Sequence, residues 1–164
     1  MRASLRSSPT LLTFAHVTFP IYFSGSISGG RSDASLYRTI VDRLQESGYE
    51  VLAGAVADPS TSASGETLSS RELFERDLRW IADVATRNGA LVAEVSVPST
   101  GVGYEIATAR HRFDLPVICL YRPAYTKRCS AMIAGDRGIR LIEYSETSVA
   151  EMLETLVAVL SRLR

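Results

Sequence analysis

The sequence predicts an α/β fold in which five parallel strands form a sheet that is covered by helices on both faces. Short apolar runs alternate along the chain with segments whose apolar residues recur at helical spacing. The central runs are largely apolar, as in strands that are buried on both faces of a parallel sheet. With 164 residues, 46% of them apolar and 22% charged, the chain suits one domain with a substantial core.

The first half of the chain is predicted to form two strands, two helices and one long loop. In the first helix the apolar residues share one face, and Gly48 ends it because glycine readily takes the left-handed backbone conformation. The serine-rich loop is longer than an ordinary connection, which is typical of a lid, a binding loop or a disordered segment. Ser69 or Ser70 is a suitable N-cap for the second helix. In chain order these elements are 17–23, 33–47, 49–53, 57–70 and 71–87.

The second half repeats the alternation. The third strand leads through a glycine-containing turn into a helix that ends near Asp114, and Pro116 is tolerated at the start of the fourth strand. An irregular segment with one helical turn around 130–134 precedes the fifth strand, and an amphipathic helix closes the chain. The predicted strands are 90–95, 115–121 and 139–144, and the closing helix is 145–164.

Two glycine-rich turns, at 25–30 and 99–103, follow strands one and three. The alternation of strands and helices predicts a three-layer sandwich with a five-stranded parallel sheet, of the flavodoxin-like or Rossmann-like type. In such sheets, ligands bind beyond the carboxyl ends of the strands, near the point where the strand order reverses. We therefore expect the two turns to lie side by side and to form the binding site.

The fold is predicted to be a single domain over 16–164, and the N-terminal segment 1–15 is left out of it. No acidic residue precedes Asp33, whereas Arg2 and Arg6 lie among serines and a threonine. This composition resembles a mitochondrial transit peptide. A disordered tail ahead of the first strand is the alternative.

Charge and cysteine content exclude several classes of protein. The formal net charge is zero, from 18 basic and 18 acidic side chains, so no overall field attracts nucleic acid or a membrane. Cys119 and Cys129 make no disulfide framework, and Cys119 is expected to be a small buried hydrophobe. No apolar run approaches the ~20 residues of a membrane span. We expect an intracellular, cytoplasmic protein, with a nuclear location or mitochondrial targeting by 1–15 as alternatives.

Two carboxylates are candidates for catalysis. Glu105 is predicted in the first turn of its helix, where it either serves the site or merely complements the helix dipole. Asp77 falls within the apolar arc of its helix, where a carboxylate is costly to bury unless it is paired or faces a polar pocket. A salt bridge to Arg76 or Arg79 is the alternative for Asp77. Tyr22, near the end of strand one, either reaches the same edge or is a core tyrosine.

Two carboxylates beside turns that suit a phosphate fit the cleavage of a glycosidic bond. His16 and His111 fall outside the turns of the predicted site, which argues against a histidine triad or a histidine-rich metal site, and we expect no metal and no cofactor.

Segment 25–32 differs by one residue from the phosphate-loop pattern, because Arg31 stands where that pattern has lysine. Arginine is not an equivalent substitute there, which disfavours a nucleotide triphosphatase.

Several segments resemble the 2′-deoxynucleoside 5′-phosphate N-hydrolases, the Rcl group within the nucleoside 2-deoxyribosyltransferase family. The similarity is collinear from about residue 20 to the last helix, and its more specific parts are 101–105 and 130–133. The resemblance implies a flavodoxin-like fold, a homodimer, and hydrolysis of 2′-deoxynucleoside 5′-monophosphates to a free base and 2-deoxyribose 5-phosphate. The similar segments are 22–31, 77–80, 93–95, 98–105, 119–123 and 130–133.

The resemblance also implies a role for each matching residue. Glu105 matches the nucleophile, Asp77 matches an aspartate that contacts the sugar and assists departure of the leaving group, and Tyr22 matches a tyrosine beside the nucleophile. Ser130 matches a serine that reaches the phosphate from the partner subunit. The residues implied to bind the phosphate and the sugar are Gly25, Ser26, Ile27, Ser28, Ser99, Gly101 and Gly103.

The chain departs from the family pattern at two places. Ser28 stands where the family pattern has arginine, which removes a charge-assisted phosphate contact of about 1.5–3 kcal/mol unless Arg31 replaces it. The histidine often found after strand two is also missing, and 54–56 occupies its place. The serine-rich loop over 57–70 is a further candidate for altering base preference.

Two other functions fit the same residues. A deoxyribosyltransferase would keep the fold and the covalent intermediate but pass the sugar to a second base instead of to water. A non-catalytic nucleotide-binding module would hold the nucleotide without turning it over. Exchange of the base when a free base is added separates the first from a hydrolase, and tight binding without product separates the second.

Overall fold

The computed structural model of the chain describes residues 18–27, 32–58, 61, 67–126 and 128–164. Within these ranges, strands and helices alternate as predicted, and two single-turn 3₁₀ helices lie at Gly54–Ala57 and Glu146–Ser148. The strands are β1 (Pro20–Ser24), β2 (Glu50–Leu52), β3 (Ala90–Glu94), β4 (Val117–Tyr121) and β5 (Ile139–Glu143). The helices are α1 (Ala34–Glu46), α2 (Ser70–Thr86), α3 (Thr100–Arg112), α4 (Ala131–Gly135) and α5 (Val149–Ser161).

The five strands form one parallel sheet in the order β2-β1-β3-β4-β5. This confirms the predicted flavodoxin-like or Rossmann-like winding. The chain first moves outward from β1 to β2, then returns past β1 to β3, so the strand order reverses between β1 and β3. Ser24 is paired in register with Ala93 there, which brings the carboxyl ends of both strands to the same edge. The segments that begin after Ser24 and after Glu94 are therefore neighbours, and residues 28–30 of the first predicted turn lie outside the described residues.

Alternation along β1 divides its side chains between two hydrophobic cores. Ile21 and Phe23 are buried against α1 and α5 on one face of the sheet. Tyr22 is buried on the opposite face, among residues of α2 and α3. Because successive strand residues point to opposite faces, Ser24 is on the same face as Tyr22. This face is the one that carries the candidate site.

The helix ends follow the predicted capping signals. Ser69 caps α2 in a capping box, with its side chain accepting from the Glu72 N–H and the Glu72 carboxylate accepting from the Ser69 N–H. Gly48 takes a φ of 81° directly after α1, as expected of a glycine stop. Of the predicted 57–70 loop, residues 59–60 and 62–66 lie outside the described residues, as does all of 1–15.

The boundary that concerns the candidate site was predicted wrongly, whereas β4 and α5 begin two and four residues later than predicted. Helix α3 already begins at Thr100, with Ser99 as its N-cap, so Gly101 and Gly103 lie inside the helix and not in a turn before it. Glu105 is consequently in the second turn of α3. The two glycines have low helix propensity, which favoured the later start, but Val102 between them packs into the core and stabilises the helix.

Among the described residues, no helix combines the length and the apolar content that crossing a bilayer requires.

Candidate active site

A pocket of about 260 Å³ opens at the carboxyl ends of β1 and β3, between α2 and the start of α3. Its walls include both predicted carboxylates, the start of the first glycine-rich turn and the N-terminus of α3. The residues that line it are Tyr22, Ser24, Gly25, Ile27, Ala53, Val56, Leu73, Arg76, Asp77, Trp80, Ser99, Gly101, Val102 and Glu105.

Glu105 is held by two hydroxyl groups from strand β1. It is half-buried on the face of α3 that also carries the buried Val102 and Ile106, and this face packs on the sheet. The Tyr22 hydroxyl donates a hydrogen bond of 3.0 Å to one carboxylate oxygen of Glu105, and the Ser24 hydroxyl donates to the other. Both oxygens of the carboxylate are thus oriented at the base of the pocket.

The environment of Glu105 has opposing effects on its ionisation. Burial raises the pKa of Glu105 above its ordinary value of 4.5, while the hydrogen bonds from Ser24 and Tyr22 counteract the rise because they favour the charged form. The negative charge of Asp77 adds to the rise, and the positive charge of Arg76 opposes it. Burial and the nearby Glu105 also raise the pKa of Tyr22, so its hydroxyl stays protonated and remains a donor.

Helix α2 supplies the opposite wall through residues three or four positions apart, Leu73, Arg76, Asp77 and Trp80. The Asp77 carboxylate accepts from Arg76 Nε at 2.9 Å and lies 2.9 Å from Arg76 Nη2. The Arg76 guanidinium also stacks on the Trp80 ring, 4.5 Å from its centroid. Asp77 is therefore salt-bridged to Arg76 and also lines the pocket, and its role as a site carboxylate stays a prediction.

The N-terminus of α3 meets the pocket at Ser99 and Gly101. The Ser99 hydroxyl accepts from the Val102 N–H at 3.4 Å, and the Ser99 carbonyl accepts from the Gly103 N–H at 3.1 Å. The preceding N–H groups of the first turn have no acceptor within a helix, and the helix dipole is positive at this end. An anionic group in the pocket would be stabilised here.

The structure brings most of the predicted site residues together, but not all of them. Ser26 is buried and does not line the pocket. Gly103 and Ser130 line a second cavity of about 670 Å³, which shares Ser99 and Val102 with the first. Ser28 lies outside the described residues. Within the described ranges, no three His, Cys, Asp or Glu side chains are grouped as metal ligands would be.

Sequence reasoning did not single out Ser24, or a role for Arg76 inside the pocket. Ser24 could have been found from strand periodicity, because it is two residues after Tyr22 and so shares its face. Arg76 was considered only as a salt-bridge partner of Asp77. Its position on the pocket wall follows from the helical spacing that it shares with Leu73 and Trp80.

A buried polar network connects the end of β3, the segment after β4 and the start of α1. Glu94, at the end of β3, is completely buried and accepts hydrogen bonds from the Ser96 backbone N–H at 3.2 Å and the Tyr144 hydroxyl at 3.0 Å. Arg122, which follows β4, lies 3.5 Å from the Glu94 carboxylate and forms an ion pair with Asp33 at the start of α1. The network therefore links residues that adjoin both site turns.

Comparisons with known proteins identify the family of this chain. No protein-family model matches the chain. A protein of Nematostella vectensis with the provisional name 2′-deoxynucleoside 5′-phosphate N-hydrolase 1 is 45% identical over 143 residues, which cover 84% of this chain and 92% of the relative. The chain belongs to the 2′-deoxynucleoside 5′-phosphate N-hydrolase family. The predicted family and the enzyme class, an N-glycosidase, are thus confirmed.

Vertebrate members of the N-hydrolase family are similarly close. The 5-hydroxymethyl-dUMP N-hydrolase of Mus musculus is 42% identical over 140 residues, covering 81% of this chain and 76% of the mouse protein. The protein of the same name from Danio rerio is 39% identical over 146 residues, covering 87% of this chain and 98% of the fish protein. The similarity to this N-hydrolase family thus extends over nearly the whole length of the fish relative.

Proposed function

We propose that this N-hydrolase cleaves the N-glycosidic bond of 2′-deoxynucleoside 5′-monophosphates, giving a free base and 2-deoxyribose 5-phosphate, with Glu105 as the nucleophile. The observation that carries the proposal is the Glu105 carboxylate, oriented by the hydroxyls of Tyr22 and Ser24 at the base of a pocket whose rim is a helix N-terminus. The names of the relatives supply the class of substrate.

The reaction would proceed in two displacement steps. A Glu105 oxygen bonds to C1′ of the sugar as the C1′–N bond breaks, and water then cleaves the glycosyl ester to release the sugar and regenerate the carboxylate. The hydroxyls of Tyr22 and Ser24 hold the carboxylate in an attacking orientation, which lowers the entropic cost of reaching the transition state. Asp77, on the facing helix, would contact the sugar and assist departure of the base.

The 5′-phosphate would lie against the N-terminus of α3. Ser99 and the first-turn backbone at Gly101 provide a positive dipole end on the pocket rim, and Gly25 and Ile27 close the pocket from the β1 side. The backbone at Gly25 passes close to its neighbours, since an added Cβ would lie 3.0 Å from the Tyr37 ring. Ser26, Ser28 and Gly103 remain predicted contacts.

A product assay tests the proposal. The purified chain is incubated with each deoxynucleoside monophosphate, the matching ribonucleotide and the unphosphorylated deoxynucleoside, and free base is measured by chromatography. We expect base release from the deoxynucleoside monophosphates, and more slowly or not at all from the other two groups. If no deoxynucleotide yields free base, and Ser28→Arg does not restore release, the proposed function is wrong. Base exchange upon addition of a free base would instead identify a transferase.

Removal of the Ser24 hydroxyl is expected to impair the reaction through Glu105. In Ser24→Ala, one hydrogen bond that favours the charged carboxylate is lost, so the pKa of Glu105 rises further. The acid limb of the kcat/KM profile should therefore move to higher pH. At neutral pH, kcat/KM itself should be about tenfold lower than in the unmodified protein. Rates measured across pH 4–8 check this.

Ser161→Ala is the matched control for Ser24→Ala. It removes a hydroxyl at the end of α5 that bonds only within its helix, to the Ala158 carbonyl. Its pH profile should coincide with that of the unmodified protein. An acid limb that does not move in Ser24→Ala would show that this hydroxyl leaves the ionisation of Glu105 unaffected.

The homodimer is also a proposal, with Ser130 completing the site of the partner. Ser130 and the exposed Met132 border the second cavity, which adjoins the first at Ser99. Phe74 on α2 and Tyr104 on α3 are also exposed and form an aromatic pair, with ring centroids 6.1 Å apart. Exposed apolar groups of this kind on a monomer are typical of a subunit interface.

Mixing two inactive variants tests whether Ser130 acts across subunits. A hybrid of Ser130→Ala and Glu105→Gln subunits contains one site with an intact Glu105 and an intact Ser130 from the partner. After co-refolding in equal amounts, activity should return to about a quarter of the unmodified level, because half the dimers are hybrids with one complete site each. No recovery despite hybrid formation would mean that Ser130 acts in its own subunit, and an active Ser130→Ala homodimer would mean that Ser130 is not needed.

A further inference from the structure

Arg76 is the one cationic side chain among the described residues that line the pocket. Asp77 accepts a hydrogen bond from its Nε, and the Trp80 ring lies under its guanidinium plane. These two contacts fix the orientation of the guanidinium group, because a carboxylate and an aromatic face restrain it from different sides. Arg76 is therefore an oriented donor group on the pocket wall, with its Nε and Nη2 toward Asp77.

The pocket leaves one place for the base of a bound nucleotide. If the phosphate lies at the N-terminus of α3 and C1′ faces Glu105, the base must point to the remaining wall. That wall consists of apolar side chains from α2 and from the segment after β2, together with the ion pair of Arg76 and Asp77. The apolar members are Ala53, Val56, Leu73 and Trp80. Apolar walls contact the flat faces of a base. Because the proposed function assigns Asp77 to the sugar, the polar edge of the base falls to Arg76.

A guanidinium group distinguishes base edges by their hydrogen-bonding character. It carries five N–H donors and no acceptor, and it does not release a proton in a protein. A ring carbonyl can accept from it, whereas the exocyclic amino group of cytosine or adenine presents donors to it. The positive charge also stabilises a base that leaves as an anion, since that charge is shared with the ring carbonyl oxygens.

We propose that Arg76 makes the site selective for deoxynucleotides whose base has a carbonyl oxygen where cytosine and adenine have an amino group. This inference rests on the proposed function and names its substrate class. As the Glu105 oxygen bonds to C1′, the C1′–N bond breaks and its electron pair passes to the base, where Arg76 binds the carbonyl oxygen. The base then takes a proton from solvent, and water cleaves the ester.

Paired substrates and matched variants test this inference. The pairs dUMP with dCMP, and dIMP with dAMP, differ in the carbonyl or amino group and in the hydrogen on the neighbouring ring nitrogen, and share the rest of the nucleotide. We expect the unmodified protein to favour the carbonyl member of each pair by at least about tenfold in kcat/KM. Arg76→Gln should reduce each ratio to within about threefold, because an amide side chain offers either a donor or an acceptor. Arg76→Lys, which keeps charge and donors, should retain part of the preference.

Arg79→Gln is the control, since it removes an exposed charge from the same helix outside the pocket, and its ratios should equal those of the unmodified protein. Thermal unfolding verifies that each variant is folded. Equal rates for the two members of each pair, a preference for the amino members, or ratios unchanged in Arg76→Gln would each overturn the inference. Failure to cleave any deoxynucleotide would instead reject the proposed function, and with it the basis of this inference.

Discussion

Glu105→Gln is expected to lower kcat/KM for deoxynucleotide hydrolysis by at least about 10³-fold while the fold stays intact. The substitution keeps the size of the side chain, and the hydroxyl of Tyr22 or Ser24 that faces the amide nitrogen must turn to accept from it. An amide oxygen is a poor nucleophile toward C1′. Single-turnover measurements with saturating substrate isolate the chemical step. Binding of the nucleotide, followed by calorimetry, should be largely retained, because the phosphate contacts lie elsewhere.

The same substitution is expected to raise stability at neutral pH. Burial raises the pKa of Glu105 in the folded protein, so the unfolded chain ionises first as pH increases. Glu105 therefore makes the unmodified protein lose stability as pH rises from the ordinary value near 4.5 through the raised pKa, and the glutamine variant lacks this contribution. The gap in Tm between the two should be small at pH 4 and larger at pH 7.

Two results would contradict this account of Glu105. A variant that retains more than about a tenth of the activity would show that the carboxylate is not the nucleophile. A Tm gap that is the same at pH 4 and pH 7, or that narrows as pH rises, would show that the folded state does not disfavour the charged form. The two readouts are independent, so activity and ionisation are tested separately.

Arg122→Met is expected to destabilise the fold by about 3–5 kcal/mol, because it leaves two buried carboxylates without their cation. The Arg122 side chain is 5% exposed, and those of Asp33 and Glu94 are 8% and 0% exposed. Removing one partner of such a network costs more than the network itself contributes, since the remaining charges keep their desolvation penalty. Urea unfolding with analysis of the midpoint and slope measures the loss.

The cost of Arg122→Met should also depend on pH. Burial raises the pKa of Glu94, and the positive charge of Arg122 is among the influences that lower it. Without Arg122 the pKa of Glu94 rises further, so the variant loses stability as pH increases above the ordinary value of 4.5. The difference in unfolding free energy from the unmodified protein should therefore be larger at pH 8 than at pH 5.

Arg71→Met is the matched control for this prediction. It breaks an exposed ion pair with Glu75, whose side chains are 86% and 51% exposed, and should cost less than about 1 kcal/mol with little dependence on pH. A loss in Arg122→Met as small as that of the control would mean that water reaches Glu94 and Asp33 once the arginine is removed.

Sequence reasoning located the candidate site better than it resolved its internal geometry. The position of the glycine-rich turns after strands one and three was enough to place them together, because carboxyl ends of adjacent parallel strands meet at one edge. The start of α3 was placed too late, because propensity alone disfavours a helix over Gly101 and Gly103. Packing of Val102 on the sheet outweighs that local preference.

The sequence could not decide between the two roles considered for Asp77. Helical spacing indicated that it lies within the apolar arc of α2, and two roles remained open, a salt bridge or a site carboxylate. The structure shows that it pairs with Arg76 on the pocket wall. Spacing could not distinguish these roles, since both place the carboxylate on the same face of the helix.

The sequence by itself determined the order of strands and helices, the parallel sheet and the edge at which the site forms. These features depend on local periodicity and on capping residues, which can be recognised within short segments of the sequence. Only the tertiary structure decided that Tyr22 and Ser24 hold Glu105, which lies 83 and 81 positions further along the chain. The physical reason is that these contacts depend on how α3 packs across β1, and that arrangement depends on both hydrophobic cores together.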